Sequence, residues 1–483
     1  VEFPDDALAM TVNCPHCSRP MELVPVLEPA SEQEQSSTRE ATDMSAIEWS
    51  AAFGDGAPRQ SVSWAYSAGM LLTAMVMIVL PLLYVAVVGA AAYGVYWYAT
   101  HCSGLLFARP MGGLYVMIAR FLLYVAPLFA GAVMVFFMIK PLLARRGRSA
   151  VPLAMDPAAN PKLFAFIATV CDRVGAPMPA RISLVGNMNA AAGFRGGLFG
   201  MLRNDIELIV GIPLVAGLNT RQFAAVVAHE FGHFTQGSAM RVGLLVDSIN
   251  GWFARVVYER DAWDEALDQW AAENEDGRVG LVIWTAQAGV WFSRLILKIL
   301  MFTGHAASCF LSRQMEFHAD RVAASIAGSQ GLESLLIRTN ELGAATQQAY
   351  LGMRELWRAT GRLPESVPQY VMLLESRFTP ETRERIHRQM INHSTGLFDT
   401  HPTDSHRIQR ARQAQLPGVF DLEAPTAVLF GNFEAVGRMV TLQHYMDDIG
   451  IPVSAQQLRP VEEYAGEADK KWRQVMARRA SMP

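Results

Sequence analysis

Hydrophobic and polar positions divide the 483-residue chain into distinct zones. Residues 28–60 form a polar, acidic stretch rich in Ser, Gln and Ala, the pattern of a solvated linker. Residues 67–100 follow, "SAGMLLTAMVMIVLPLLYVAVVGAAAYGVYWYAT", without one formal charge. That run far exceeds the ~20 residues needed to cross a bilayer. Pro81 marks a candidate kink, and Tyr93, Tyr96, Trp97 and Tyr98 crowd its far end as interfacial aromatics do. A second uncharged run lies between Arg120 and Lys140. Spans at about 69–99 and 121–139 therefore make a transmembrane helical hairpin within residues 61–148.

Beyond Arg148 the pattern becomes that of a globular domain, residues 149–416. "ARISLVGN" and "DIELIVGI" read as short strands bounded by Gly, Pro and Asn, and "NAAAGFRGGLFG" between them reads as a loop. After "GLNT" the spacing of Phe223, Val226, Val227 and Phe231 turns helical, with Thr220 as the expected N-cap. Residues 280–311 are apolar but interrupted by Arg294 and Lys298, four apart on one helical face. We expect a helix packed on the globular domain or lying along the membrane interface there, the alternative being a further span with a charged face. The chain is mostly helical from Asp320 to about Gln415, and residues 417–483 form an extension with helices near Phe433 and Lys470. The expected fold is thus predominantly α with a small β-sheet, plus the membrane hairpin.

Composition agrees: 51% hydrophobic and 18% charged residues are too apolar a balance for an ordinary soluble chain of this length. Net charge is −4, which offers no basic face for nucleic acid. The basic cluster Lys140, Arg145, Arg146 and Arg148 follows the second run, against Arg109 and Arg120 between the runs. By the positive-inside tendency, the globular domain and the N-terminal segment face the cytoplasm. No basic n-region precedes a short apolar stretch near the start, so no secretory signal peptide is expected. Five scattered cysteines do not make a disulfide framework. "CPHC" within residues 1–27 places Cys14 and Cys17 as half of a zinc ribbon, and four ligands are needed to close a structural site. An incomplete ribbon or a free dithiol is the plainer reading, and a reducing compartment suits it.

The chemistry concentrates in "AHEFGH". On a helix, residues i and i+4 share a face, so His229 and His233 can present ring nitrogens to one ion, with Glu230 beside them as the base. The uncharged neighbours Val226, Val227, Ala228, Phe231, Gly232 and Phe234 suit a buried helix. A catalytic zinc takes three protein ligands and leaves a position open. The third comes from elsewhere, and "SRQMEFHADRVAA" stands out: Glu316 and Asp320 share one helical face, and His318 points away. Glu316 is the candidate ligand. Asp320 is placed to accept a hydrogen bond from a ligating imidazole.

"AHEFGH" followed by "EFHAD" resembles the M48 family of zinc metallopeptidases, on its bacterial HtpX-like side. "NMNAAAGF", with Asn189 and Ala190, is similar to the family's Asn-Ala segment, and "THPTDSHRIQR", with His401, Pro402 and Arg407, to its late His-Pro segment. The resemblance covers about 152–415 and the hairpin. It implies a zincin-like peptidase domain with one catalytic Zn2+ held by His229, His233 and Glu316. It also implies Glu230 as general base and later proton donor, and Asp320 behind a zinc histidine. His401 is implied in substrate or oxyanion binding and Arg407 in a structural ion pair. Asn189 and Ala190 are implied along an edge strand that pairs with an extended substrate. The expected protein is a multi-pass bacterial inner-membrane endopeptidase, with peptide or misfolded membrane-protein substrates, a lipid bilayer around it and no nucleic acid. A catalytically weak zinc-fold scaffold of a membrane complex is the alternative. One departure stands out. The HtpX-like pattern has a second hydrophobic hairpin between the two zinc motifs, whereas here that interval holds the polar "RDAWDEALDQWAAENEDGR".

Overall fold

The computed structural model describes residues 11–13, 20–22, 52–54, 64–107, 113–143, 152–196, 198–236, 238–258, 269, 277–393, 396 and 399–480. In the N-terminal segment, β1 (Thr11–Asn13) and β2 (Pro20–Glu22) pair antiparallel on either side of the CPHC stretch. Cys14 and Cys17, most of the acidic linker and Arg145, Arg146 and Arg148 lie outside the described residues.

Two long apolar helices follow, α1 (Trp64–His101), which continues through Pro81, and α2 (Leu114–Ile139). They form a hairpin tied by reciprocal bonds at its loop end: Tyr98 Oη donates to Leu123 O and Tyr124 Oη to Ala99 O, both at 2.7 Å. Gly131 lets α1 come close, since a Cβ there would lie 2.7 Å from Val95 Cγ2.

The peptidase-like part carries one four-stranded sheet. Its elements in chain order are β3 (Leu153–Ala154), α3 (Pro161–Val174), β4 (Arg181–Val185), β5 (Ala190–Phe194), β6 (Ile206–Gly211) and α4 (Thr220–Gly232). The strand order is β3-β4-β6-β5, with β4 and β6 parallel and β5 antiparallel to β6 on the edge. The stretch read as a loop is therefore strand β5. Its Ala-Gly run has little strand propensity of its own, and pairing with the Ile/Leu/Val-rich β6 imposes the extended form.

Asn219, rather than Thr220, caps α4. Its side chain accepts from Gln222 N, and Gln222 Oε1 accepts from Asn219 N, a reciprocal capping box. Thr220 instead donates to Leu422 O at 2.6 Å. The helix is buried along nearly its whole length.

Next come α5 (Ser238–Tyr258) and α6 (Gly277–Thr360), 84 residues broken at Gly328, where φ is 79° and ψ 159°. That backbone is open almost solely to glycine. The first part of α6 does not lie on the peptidase part as expected. It packs with α5 against α1 and α2, around Met77, Tyr84, Met138, Phe253 and Leu297. Among the described residues three helices, α1, α2 and α6 from Trp284 onward, are long and apolar enough to cross a membrane. Tyr84 ties three of the four bundle helices together: its Oη donates to Met138 O at 2.8 Å and meets Ser293 Oγ at 2.7 Å. The polar stretch between the zinc motifs thus joins two helices that side with the hairpin.

The remaining elements are β7 (Leu363–Pro364), α7 (Val367–Ser376), α8 (Pro380–Asn392), α9 (Asp404–Ala414), α10 (Phe433–Gln443), β8 (Leu458–Arg459) and α11 (Val461–Ala480). The C-terminal extension is packed into the main core through Phe420, Leu429, Phe430, Val436 and Val440, and β8 pairs with β7. Phe53, from ahead of α1, docks on it as well. Its ring lies 4.3 Å from that of Phe420, and Gly54 N donates to Val419 O at 2.6 Å. The segment before the first span and the peptidase part are therefore on one side of the bundle.

Candidate metal centre

Two helices build the site because small residues let them approach. A Cβ on Gly232 would lie 3.1 Å from Ala319 Cα and 3.1 Å from Val322 Cβ, so α4 and α6 meet there almost backbone to backbone. That contact brings the end of α4, with His229 and the C-cap His233, against Glu316 and, one turn later on α6, Asp320. His229 Nε2 lies 3.4 Å from one Glu316 oxygen and His233 Nε2 3.7 Å from the other. The donor atoms of the three residues all fall within 4.8 Å of one another. Ligands about 2.0–2.2 Å from a tetrahedral zinc are about 3.4 Å apart, so these spacings suit such an ion. Two imidazoles, each neutral once it ligates, and a carboxylate are a donor set that zinc accepts.

The surroundings favour positive charge here. Burial opposes a proton on His229, but Asp320 and Glu316 outweigh it and lift its pKa to about 10. Burial and the neighbouring His229 take His233 down to about 4, which keeps its ring neutral and its lone pair available. Burial would raise the Glu316 carboxyl, yet His229 and His401 hold it below the usual carboxylate range.

Asp320 stands behind His229, its Oδ1 3.1 Å from Nδ1, at ion-pair distance although not aligned as an in-line hydrogen bond. Arg407 on α9 grips the same carboxylate from the other side, Nε to Oδ2 at 2.9 Å and Nη2 to Oδ1 at 2.6 Å. Burial would raise Asp320, but the guanidinium and then His229 bring it to about 2. Arg407, Asp320, His229 and Glu316 thus form one buried chain of alternating charge.

Glu230 faces the edge strand. Its Oε2 accepts from Ala192 N at 3.2 Å. Burial raises its carboxyl above the ordinary value, with His229 opposing. Strand parity shows what else that edge offers. Asn189 O accepts from Gly211 N at 2.6 Å, and Arg195 N donates to Asp205 O at 2.9 Å. In an antiparallel pair the alternation then turns the backbone groups of Ala190, Ala192 and Phe194 away from β6. Asn189 is spent on the β6 side, while Ala190 has its backbone on the open one. His401, largely exposed, brings Nδ1 to 3.2 Å from Glu316 Oε2, so the late His-Pro segment does reach the cluster. Cys14 and Cys17 lie outside the described residues.

Sequence reasoning missed two contributors. Asp247 on α5 is near enough for its carboxyl to interact with His401 and Glu316. A lone Asp in the apolar run "GLLVDSING" is the signal that could have found it. The other is the backbone N–H of Ala192, which no side-chain motif can reveal.

Comparison with known proteins agrees with this picture. The model of "Peptidase family M48" matches residues 157–415. "Protease HtpX" of Acinetobacter baumannii (strain AYE) is 26% identical over 224 residues, 45% of this chain and 61% of that protein. The "Protease HtpX" of Hahella chejuensis is 30% identical over 152 residues, 31% of this chain and 46% of that one. The chain thus spans less than two-thirds of the length of these curated relatives. Among solved structures, that of S. mikatae Ste24p is similar over 75% of this chain and 68% of its own, with 16% identity and a TM-score of 0.25.

Proposed function

The chain belongs to peptidase family M48, and on that premise we propose that it is a membrane-anchored zinc endopeptidase. In this reading it cuts extended segments of misfolded or membrane proteins at the cytoplasmic face of a bacterial inner membrane. The observation that carries the proposal is the convergence of His229, His233 and Glu316 on one point, with Glu230 alongside.

His229, His233 and Glu316 would hold the ion. A zinc ion there supplies Lewis acidity to the scissile carbonyl and its attacking water. The remaining work falls to the chain. Glu230, fixed by the Ala192 N–H and made more basic by burial, takes a proton from the attacking water and delivers it to the leaving nitrogen. The outward backbone groups of β5 pair with an extended substrate, an interaction that needs no particular side chain and suits unfolded segments. Asp320 and Arg407 keep the His229 ring in place. His401, exposed beside Glu316, is assigned to the substrate carbonyl side.

Orientation rests on two observations. Lys140 follows α2 in the basic cluster read from the sequence, and the Phe53–Phe420 contact puts both flanks of the hairpin on one side. A reporter fused after Arg148 should behave as cytoplasmic, and a periplasmic signal there overturns the assignment. For the chemistry, wild type and Glu230→Gln are compared. Both should bind one zinc per chain, and only wild type should cut an unfolded protein. Equal cleavage by both sinks the role of Glu230. Zinc binding with no cleavage by either supports the scaffold alternative.

A further inference from the structure

The family match ends at residue 415, yet the C-terminal extension reaches the segment that joins β4 to β5. Directly after α10, residues His444–Asp448 form a single wide π turn, a feature that recurs at functional positions. That turn aims the His444 ring at the segment joining β4 to β5. A Cβ on Gly186 would lie 2.3 Å from His444 Cγ, so the ring packs on a position that only glycine can occupy.

The polar contacts are specific. His444 is buried, and its Nδ1 lies 2.5 Å from Asp448 Oδ2. A carboxylate only accepts, so this contact puts the proton on Nδ1 and leaves Nε2 as an acceptor. Tyr350, on the second part of α6, fills that acceptor with Oη at 2.7 Å, and Gly186 O stands 3.4 Å from the same phenol. Burial and the nearby Asp448 push the Tyr350 phenol up, which keeps it a donor. One turn before, Thr346 Oγ1 contacts Met188 Sδ at 3.8 Å. The turn itself then feeds the edge strand: Asn189 N donates to Asn187 O at 3.1 Å, and Asn189 O receives Gly211 N. Three residues beyond Asn189, Ala192 N meets Glu230.

We propose that His444, oriented by Asp448 and acting through Tyr350 and its packing on Gly186, is a positioning residue for substrate. It fixes the 186–189 turn and thereby the register in which strand β5 meets an extended peptide. The C-terminal extension in this view completes the substrate edge of the peptidase. The inference rests on the reading of β5 as the substrate-pairing strand.

The test uses the full chain in detergent, loaded with zinc, in four forms: wild type, His444→Ala, His444→Gln and Tyr350→Phe. Activity is measured on an unfolded protein, which pairs along β5, and on a short chromogenic peptide, which does not span it. His444→Ala should raise KM for the unfolded protein roughly five-fold, the effect of one net hydrogen bond, with kcat within about two-fold. The short peptide should be cut as by wild type. His444→Gln, which keeps an acceptor for Tyr350, should restore most of the loss. Hydrogen exchange should quicken in residues 187–194 in His444→Ala and stay unchanged in α4. Should His444→Ala not fold, Tyr350→Phe removes one oxygen and carries the same expectation. Equal losses on both substrates, or unchanged KM with unchanged exchange in 187–194, overturn the proposal. If wild type cuts nothing, the peptidase reading fails, and the exchange measurement still decides whether His444 holds the strand.

Discussion

Deleting Arg407 tests the buried charge chain behind the metal centre. Its guanidinium makes two hydrogen bonds to Asp320, at 2.9 and 2.6 Å, and a longer contact to Asp404 at 3.4 Å. The paired side chains of Arg407 and Asp320 are 15% and 7% exposed, so solvent screens the interaction little. In Arg407→Ala, Asp320 keeps only His229 as a counter-charge, and stranding a buried charge costs about 3–5 kcal/mol. Linkage gives a smaller figure for the charge itself. A shift from 3.8 to about 2 is worth roughly 2 kcal/mol, part of it due to His229.

The sign with pH follows from a depressed carboxyl. The stabilisation is complete above the ordinary Asp value of 3.8 and is lost as pH falls toward about 2. Urea unfolding of detergent-solubilised, chelator-treated wild type and Arg407→Ala should therefore differ by about 3 kcal/mol at pH 7 and converge only as pH falls to about 2. Zinc affinity, read by competition with a chelator, should fall about 10–100-fold as the His229 ring loses its fixed partner. The double variant Asp320→Ala/Arg407→Ala should cost less than the two single changes added together. Equal stability of wild type and Arg407→Ala at pH 7, or strict additivity in the cycle, refutes the reasoning.

Three further outcomes follow from other parts of the molecule. Phe53→Ala removes a ring that is 8% exposed against Phe420 and should cost up to about 3 kcal/mol, while limited proteolysis ahead of α1 becomes faster. Gly328→Ala forces a side chain onto φ 79° with its Cβ 2.7 Å from Pro417 O, and thermal melting should show a loss of about 1–3 kcal/mol. Tyr84→Phe deletes the hydroxyl between α1, α2 and α6, and unfolding in SDS should become easier by about 1 kcal/mol, with zinc content unchanged.

Local signals in the chain were enough to single out the residues of the candidate metal cluster and the two helices of the hairpin. Helical period alone puts His229, Glu230 and His233 on one turn, and the same period puts Glu316 and Asp320 on one face. The two uncharged runs mark α1 and α2 because bilayer length is a property of consecutive residues. What failed was what depends on a distant partner. "NAAAGF" has no strand pattern, and only pairing with β6 makes it the edge strand. Arg294 and Lys298 made residues 280–311 look unlike a span, and only packing against α1 and α2 decided where that helix goes. The extension after Pro417 was legible only as helices near Phe433 and Lys470, because its apolar residues do not show which core they join.

The sequence by itself therefore determined the candidate chemistry: which side chains could hold a metal, which carboxylate stands beside them, and which runs are long and apolar enough to cross a membrane. Those depend on residue type and on spacings within one helix. The tertiary structure decided the rest. It brought Glu316 to the histidines through the Gly232–Ala319 contact, set Ala192 N–H on Glu230, locked Asp320 to Arg407 across 87 residues and put Phe53 against Phe420 of the C-terminal extension. Those are contacts between segments far apart in the chain, and no local period encodes which distant surface a helix or strand will meet.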